Sequence, residues 1–198
     1  MHESRTLPPP ADAEPPWVGA VLQFWFEQAT PAQWFRRDAA FDAALHVRFG
    51  ALHAQVAAGA LTADPGRARE VLAAVLVLDQ FSRNLHRGRA AAFAQDAQAR
   101  ALARAALAQG HDAALPAAAR MFLYLPFEHS EDLAHQDRCV ELMSLLETFE
   151  ETHGLTAWAE KHRVIIKRFG RFPHRNAILG RESTPEEIEF LKSPDSRF

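Results

Sequence analysis

Apolar residues recur along most of the chain at spacings of three and four, the period of an amphipathic helix. No stretch alternates apolar and polar positions with period two for long enough to make a strand. The spacing predicts helices near 17–28, 31–37, 39–58, 66–85, 90–109, 114–124, 127–151, 155–169, 174–179 and 185–192. Thr30-Pro31-Ala32-Gln33 and Thr184-Pro185-Glu186-Glu187 each combine a capping threonine, a proline at the first helical position and Gln or Glu three residues after the cap. Asp64-Pro65 is a weaker version, and Gly59, Gly88, Gly110, Gly154 and Gly170 mark stops. The expected fold class is all-α, with antiparallel helix pairs joined by short loops as a bundle or a short superhelix. No strict repeat occurs near a period of 34 residues.

The expected organisation is a single all-helical domain over 17–192, with a C-terminal tail over 193–198. Residues 1–16 hold five of the twelve prolines and no large apolar residue except Leu7. Such a segment buries too little surface to offset its ordering entropy, so it reads as a flexible, dispensable tail.

Polar residues on apolar stripes are the informative exceptions. The helix ending Val71-Leu72-Ala73-Ala74-Val75-Leu76-Val77-Leu78-Asp79-Gln80-Phe81 is apolar all round and therefore central. Asp79 continues its stripe, and a carboxylate there needs a partner; Arg83, four residues on, is the local one. A second stripe, His129, Leu133, Gln136, Val140 and Met143, turns His129 and Gln136 inward. A third, Trp158, His162, Ile165, Ile166 and Phe169, does the same for His162. Any one of these is more often a satisfied core residue than a ligand, but together they can supply one another's partners.

Charge is segregated. Residues 128–151 carry eight acidic side chains against Arg138 alone, whereas 161–181 carry seven basic ones and no acidic one. Two mutually attracting solvated faces are one reading, and a basic run serving an anionic ligand is the other. Within that run, Phe169 to Arg181 mixes glycine, proline, aromatics, Arg171, His174, Arg175, Asn176 and Arg181. An earlier Arg83-Asn84, followed by Arg87 and Gly88, partly echoes it. The guanidinium fork suits carboxylate and phosphate, and asparagine adds a donor and an acceptor.

Composition narrows the function classes. In 198 residues the longest apolar run, Val71–Leu78, is eight long, far short of the ~20 a membrane span needs. The N-terminus lacks a basic segment followed by an apolar stretch, so no secretory signal is expected. Cys139 alone builds neither a disulfide framework nor a multi-thiolate zinc site. A pI near 6.4 argues against a general nucleic-acid binder. A soluble, cytoplasmic protein is the expectation, with no membrane or nucleic-acid partner; its oligomeric state is not legible.

Leu22-Gln23-Phe24-Trp25-Phe26, Trp34-Phe35, Leu78-Asp79-Gln80-Phe81-Ser82-Arg83-Asn84, Tyr124-Leu125-Pro126-Phe127-Glu128-His129-Ser130-Glu131-Asp132, and Phe169 to Arg181 followed by Ser183-Thr184-Pro185-Glu186-Glu187 carry a resemblance. Over about 17–192 the chain resembles the bacterial domain-of-unknown-function 924 family. The resemblance implies a tetratricopeptide-like all-helical superhelix in one domain. It implies no activity and brings no catalytic residues. Ser82 and Leu85 stand where the family pattern suggests Pro and an isoleucine-like residue.

Nucleophile-elbow, Walker, zincin and dinucleotide-binding motifs are absent. Asp132 and His135 form a D-x-x-H with Glu128 nearby, and His129, His162 and His174 could meet as three imidazoles. The first group reads as a solvated acidic face and the second needs a spatial coincidence, so no metal and no cofactor are assigned. Two functional classes remain. One is a site for a small anionic molecule, a carboxylate or phosphate, lined by Asp79, Arg83, Asn84, His129, Gln136, His162, Arg171, His174, Arg175, Asn176 and Arg181. His129, His162 and His174 would then be the candidate acids or bases. The other is a scaffold whose groove binds a partner peptide.

Overall fold

The computed structural model describes residues 6–196, with Asp195 described by its backbone alone, and among them all regular structure is helical. Its contacts group these residues into two compact units. One holds the residues up to Arg87 with Ala91–Pro126, and the other holds Gly88–Ala90 with the residues from Phe127 on.

In the first unit, α1 (Pro16–Gln23) has proline in its first turn and runs into a π-helical turn, Phe24–Gln28. The Ala29 N–H closes that turn on the Phe24 carbonyl at 2.9 Å. A second π segment, Leu76–Phe81, joins α4 (Ala68–Val75) to α5 (Ser82–Leu85), and all six of its residues are buried. The wider turn shifts the helical register, which simple spacing does not reveal. It brings Phe81 against Trp25 and Phe49, with ring centres 5.5 and 5.2 Å away. Short α2 (Pro31–Phe35) starts where Gln33 accepts the Thr30 N–H at 2.8 Å. At the start of α3 (Ala39–Ala57), Asp38 accepts the N–H groups of Ala40 and Phe41. That helix buries Phe41, Leu45, Phe49, His53 and Val56. Small buried residues Ala99, Ala103 and Ala106 let α6 (Asp96–Ala108) lie close to α4. The helix expected over 90–109 is broken: Ala90–Phe93 is a short 3-10 turn, and α6 begins at Asp96, whose carboxylate Arg83 grips with both nitrogens.

Two helix boundaries differ from expectation in α7 (Ala117–Glu128) and α8 (Leu133–Ser144). Helices were expected over 114–124 and 127–151, but α7 continues through Pro126, and residues 129–132 form the break. A proline near a helix end leaves only the Phe122 carbonyl without its usual donor. The new start is set by Asp132, whose carboxylate accepts the Ala134 N–H at 2.8 Å. Gln136 closes the corner, its Nε2 donating to the carbonyls of Glu128 and Ser130 at 2.6 and 2.7 Å. The stripe from His129 to Met143 therefore does not lie on one helix, and Leu133 is exposed.

The second unit pairs α8 with α9 (Leu155–Phe169). The inner face of α8 is Gln136, Cys139, Leu142 and Met143, and that of α9 is Ala159, His162, Ile165 and Ile166. Trp158, expected on the inward stripe, is 45% exposed. At the C-cap of α9 stands Gly170, whose φ of 68° is left-handed and favours glycine. Phe172 packs with Ile165 and Ile166, flanked by Phe169 and Phe190. In place of the helix expected over 174–179, Pro173–Arg175 forms one 3-10 turn. A full capping box starts α10 (Pro185–Phe190): Thr184 accepts the Glu187 N–H at 3.2 Å, and Glu187 accepts the Thr184 N–H at 2.8 Å. The 193–198 tail includes a 3-10 turn, Pro194–Ser196, with Ser196 donating to the Leu191 carbonyl.

Part of the N-terminal segment is tied to α4. Arg69 grips both oxygens of Glu14 at 2.6 and 3.0 Å and donates to the Pro8 carbonyl at 2.8 Å. Arg67 donates to the Asp12 carbonyl at 3.0 Å. The side chains of Arg69 and Glu14 are only 15% and 8% exposed, so Pro8, Asp12 and Glu14 are held at α4 within the segment expected to be a flexible tail. Residues 1–5 lie outside the described residues. Deleting residues 1–15 should therefore cost roughly 1–3 kcal/mol by stranding the Arg69 guanidinium. An unchanged melting temperature would show that these contacts contribute nothing.

Candidate functional site

His162 is the centre of a polar cluster inside the second unit. It is 5% exposed, held between α9 and the corner after α7. Its Nδ1 lies 3.1 Å from the Trp158 carbonyl, which can only accept, so Nδ1 carries the proton. Its Nε2 faces the buried Glu128 carboxylate, with Oε1 at 3.7 Å, beyond hydrogen-bond reach. Burial pushes the imidazole down to about 3; the Trp158 carbonyl works against this, and His129, Arg175 and His174 reinforce it. His162 is therefore neutral near pH 7.

Phe172, fully buried, is the apolar floor of this cluster. Its ring centre lies 5.8 Å from the His162 ring and 5.6 Å from the His174 ring, and the Arg175 guanidinium sits over it at 4.4 Å. Arg175 is 7% exposed and donates from Nη1 to the His129 carbonyl at 3.0 Å. His129 and His174 are half-buried, so the cluster reaches from the interior towards solvent. Periodicity singled out neither Phe172 nor Glu128. The only hint of Phe172 was its position before Pro173.

The other proposed site residues have different surroundings. Arg171 grips Glu187 at 2.7 and 2.8 Å, and the Asn176 amide donates to the same carboxylate at 3.2 Å. Arg181 holds Glu131 at 2.7 and 2.9 Å and donates to the Asn176 side-chain oxygen at 3.0 Å. Burial alone would raise the Glu131 carboxyl, but Arg181 and the Phe172 N–H together hold it below the usual range. The Nε2 of Gln136 serves backbone carbonyls at the α7–α8 corner.

In the first unit, Asp79 is fully buried and meets Arg83 at 3.1 Å, as the spacing predicts, and also accepts the Gln80 amide at 2.7 Å. Asn84 donates to Asp42 at 2.7 Å, beside Arg87, which grips the same carboxylate at 2.7 and 2.9 Å. The sequence echo recurs only in part, because Arg171 and not Arg181 takes the place of Arg87. In each unit an asparagine amide and an arginine fork share one carboxylate, Asp42 in the first and Glu187 in the second.

Among the described residues, no group of three His, Cys, Asp or Glu side chains is arranged to hold a metal ion. Asp132 caps α8, and His135 pairs with the Ser130 hydroxyl at 2.9 Å, which accounts for the D-x-x-H spacing. No helix among these residues is long and apolar enough to cross a membrane.

No curated protein matches the chain. The solved structure of a protein of unknown function, ATU0120 from Agrobacterium tumefaciens, is similar to it at 45% identity with a TM-score of 0.81. That similarity covers 88% of this chain and 96% of the other. The family model described as bacterial protein of unknown function (DUF924) matches residues 21–195. With its fold and most of its length accounted for in this way, the chain belongs to the DUF924 family.

Proposed function

We propose that the second unit binds a small anion, a carboxylate or a phosphate, at the cluster of His129, His162, His174 and Arg175. What supports this is the convergence of two imidazoles, His162 and His174, and a buried guanidinium around one apolar ring, with His129 close enough to act on His162. A fork-shaped cation suits an oxyanion, and burial strengthens the contact.

A thermal-shift screen of phosphate and dicarboxylates tests the reading. An anion at a hundredfold excess over Kd should stabilise the wild type by about 2.7 kcal/mol. For a chain of this size that is a rise of roughly 5–11 °C. Arg175→Ala should abolish the increment, and Arg175→Lys should restore only part of it, since a point charge does not reproduce the fork. Arg175→Ala also loses the bond to the His129 carbonyl, so the quantity to compare is the ligand-induced rise, not the absolute melting temperature.

The second reading is a scaffold of tetratricopeptide-like helix pairs that binds peptide. The exposed Trp158 and Val164 on α9 favour it. It gains weight if no anion stabilises the wild type more than the Arg175 variants. A cytoplasmic setting accords with either reading, since Cys139 is a buried free thiol.

A further inference from the structure

We infer that the anion taken up beside Arg175 carries a hydrogen-bond donor next to its charged group, as a hydroxy acid does, and that Gln136 accepts this donor; the inference rests on the anion-site reading above. Gln136 is fully buried on the inner face of α8. Its side-chain amide faces the backbone carbonyls of Glu128, Ser130 and Phe127 at 2.6, 2.7 and 3.4 Å. Carbonyls only accept, so Nε2 must be the end that meets them, and the orientation of the amide is fixed. The opposite end, Oε1, is then an acceptor, and among the described residues no donor reaches it.

A buried acceptor left without a donor is costly, and the corner accounts only for the nitrogen. The oxygen stands next to the proposed site. Glu128, His129 and Ser130 are consecutive: Gln136 holds the first and third carbonyls, and Arg175 donates to the middle one at 3.0 Å. From the same stretch, the Glu128 carboxylate comes within 3.7 Å of His162 Nε2. Amide and guanidinium are thus tied to one three-residue segment. A ligand whose oxyanion meets Arg175 can direct a hydroxyl on the neighbouring carbon to Oε1. Succinate brings acceptors alone and leaves Oε1 unpaired, whereas malate, with one hydroxyl more, pairs it. A site with a buried polar group of this kind rejects the analogue that lacks the matching hydroxyl.

Titration calorimetry of the full chain with malate, succinate and fluorosuccinate tests this, because fluorine nearly fills the space of the hydroxyl but donates nothing. Malate should bind about tenfold tighter than the other two, the worth of one hydrogen bond to a buried group. In Gln136→Met, which fills the volume without an acceptor, the three should bind alike. Gln136→Lys keeps a donor for the corner carbonyls and also lacks the acceptor, so it gives the same comparison if Gln136→Met does not fold. The ratio is read within one protein, so a general weakening of anion binding cancels. Equal binding of the three by the wild type would overturn the donor and leave the anion site standing, as would binding of phosphate but of none of the three. A malate preference kept in both variants would overturn the role of Gln136. Failure of the wild type to bind any of these anions would overturn the site itself, and the inference with it.

Discussion

Arg83→Ala should be among the most damaging single substitutions in the first unit, lowering stability by roughly 3–5 kcal/mol. Arg83 bridges two carboxylates: fully buried Asp79 at 3.1 Å and largely buried Asp96 at 2.9 Å, and it also donates to the Asp79 carbonyl at 3.0 Å. Truncating it takes the guanidinium from both carboxylates at once, leaving Asp79 with the neutral Gln80 amide. Asp79→Ala should cost less, about 3 kcal/mol, because Arg83 keeps its two-nitrogen grip on Asp96. Urea unfolding of the two variants gives the comparison. A larger loss for Asp79→Ala would mean that cavity formation, and not the stranded charge, dominates at this point. The network sits at a π segment, where the wide turn places Asp79 in the core, so little water is at hand to repair a broken pair.

The second large effect is expected at Glu187. Its buried carboxylate accepts two bonds from Arg171, one from the Asn176 amide and one from the Thr184 N–H. Glu187→Ala removes the capping box of α10 and takes the shared carboxylate from Arg171 and Asn176, which keep the Glu182 carbonyl and the Ser183 hydroxyl, for a loss of roughly 3–4 kcal/mol. The same contacts give an acid dependence of defined sign. Arg171, with the Thr184 N–H and Asn176, holds the Glu187 carboxyl down at about 2. A carboxyl lowered on folding contributes stability that is present above its unfolded value and lost as pH falls through the folded one. The wild type should therefore lose on the order of 2 kcal/mol from this group between about pH 4.5 and 2, allowing for solvent screening of the partly exposed Arg171. Glu187→Gln should flatten that part of the pH profile. A variant profile parallel to the wild type over that interval would place the acid lability elsewhere.

Both networks had visible precursors. Asp79 on an all-apolar helix demanded a cation, and Arg83 four residues on was the local choice. The Thr184-to-Glu187 spacing announced the capping box that α10 uses. What was missing in each case was the distant partner. Asp96 is thirteen residues from Arg83, and Arg171 is sixteen from Glu187.

The candidate site divides in the same way. The inward turn of His162 was readable from the spacing of α9, because four consecutive turns of one helix keep a fixed face. The position of His129 was not, since its stripe crossed a break that Asp132 and Gln136 create. Arg171 and Arg181 look equivalent to Arg175 along the chain. The structure separates them: the first two find Glu187 and Glu131, whereas Arg175 lies over Phe172 beside the histidines.

The sequence by itself determined the all-helical class, the proline-led helix starts, the Gly170 stop and the buried pairing of Asp79 with Arg83. Each depends on residues within about one helical turn, where backbone geometry dictates who can meet whom. Tertiary structure alone decided the π segments, the passage of α7 through Pro126, the anchoring of Pro8 and Glu14 on Arg69 and which arginine stands beside His162. Those outcomes depend on contacts between residues tens of positions apart, such as Glu14 with Arg69 or Arg175 with His129. Local periodicity carries no record of such contacts, because a charged side chain settles on whichever partner the packed helices bring within reach.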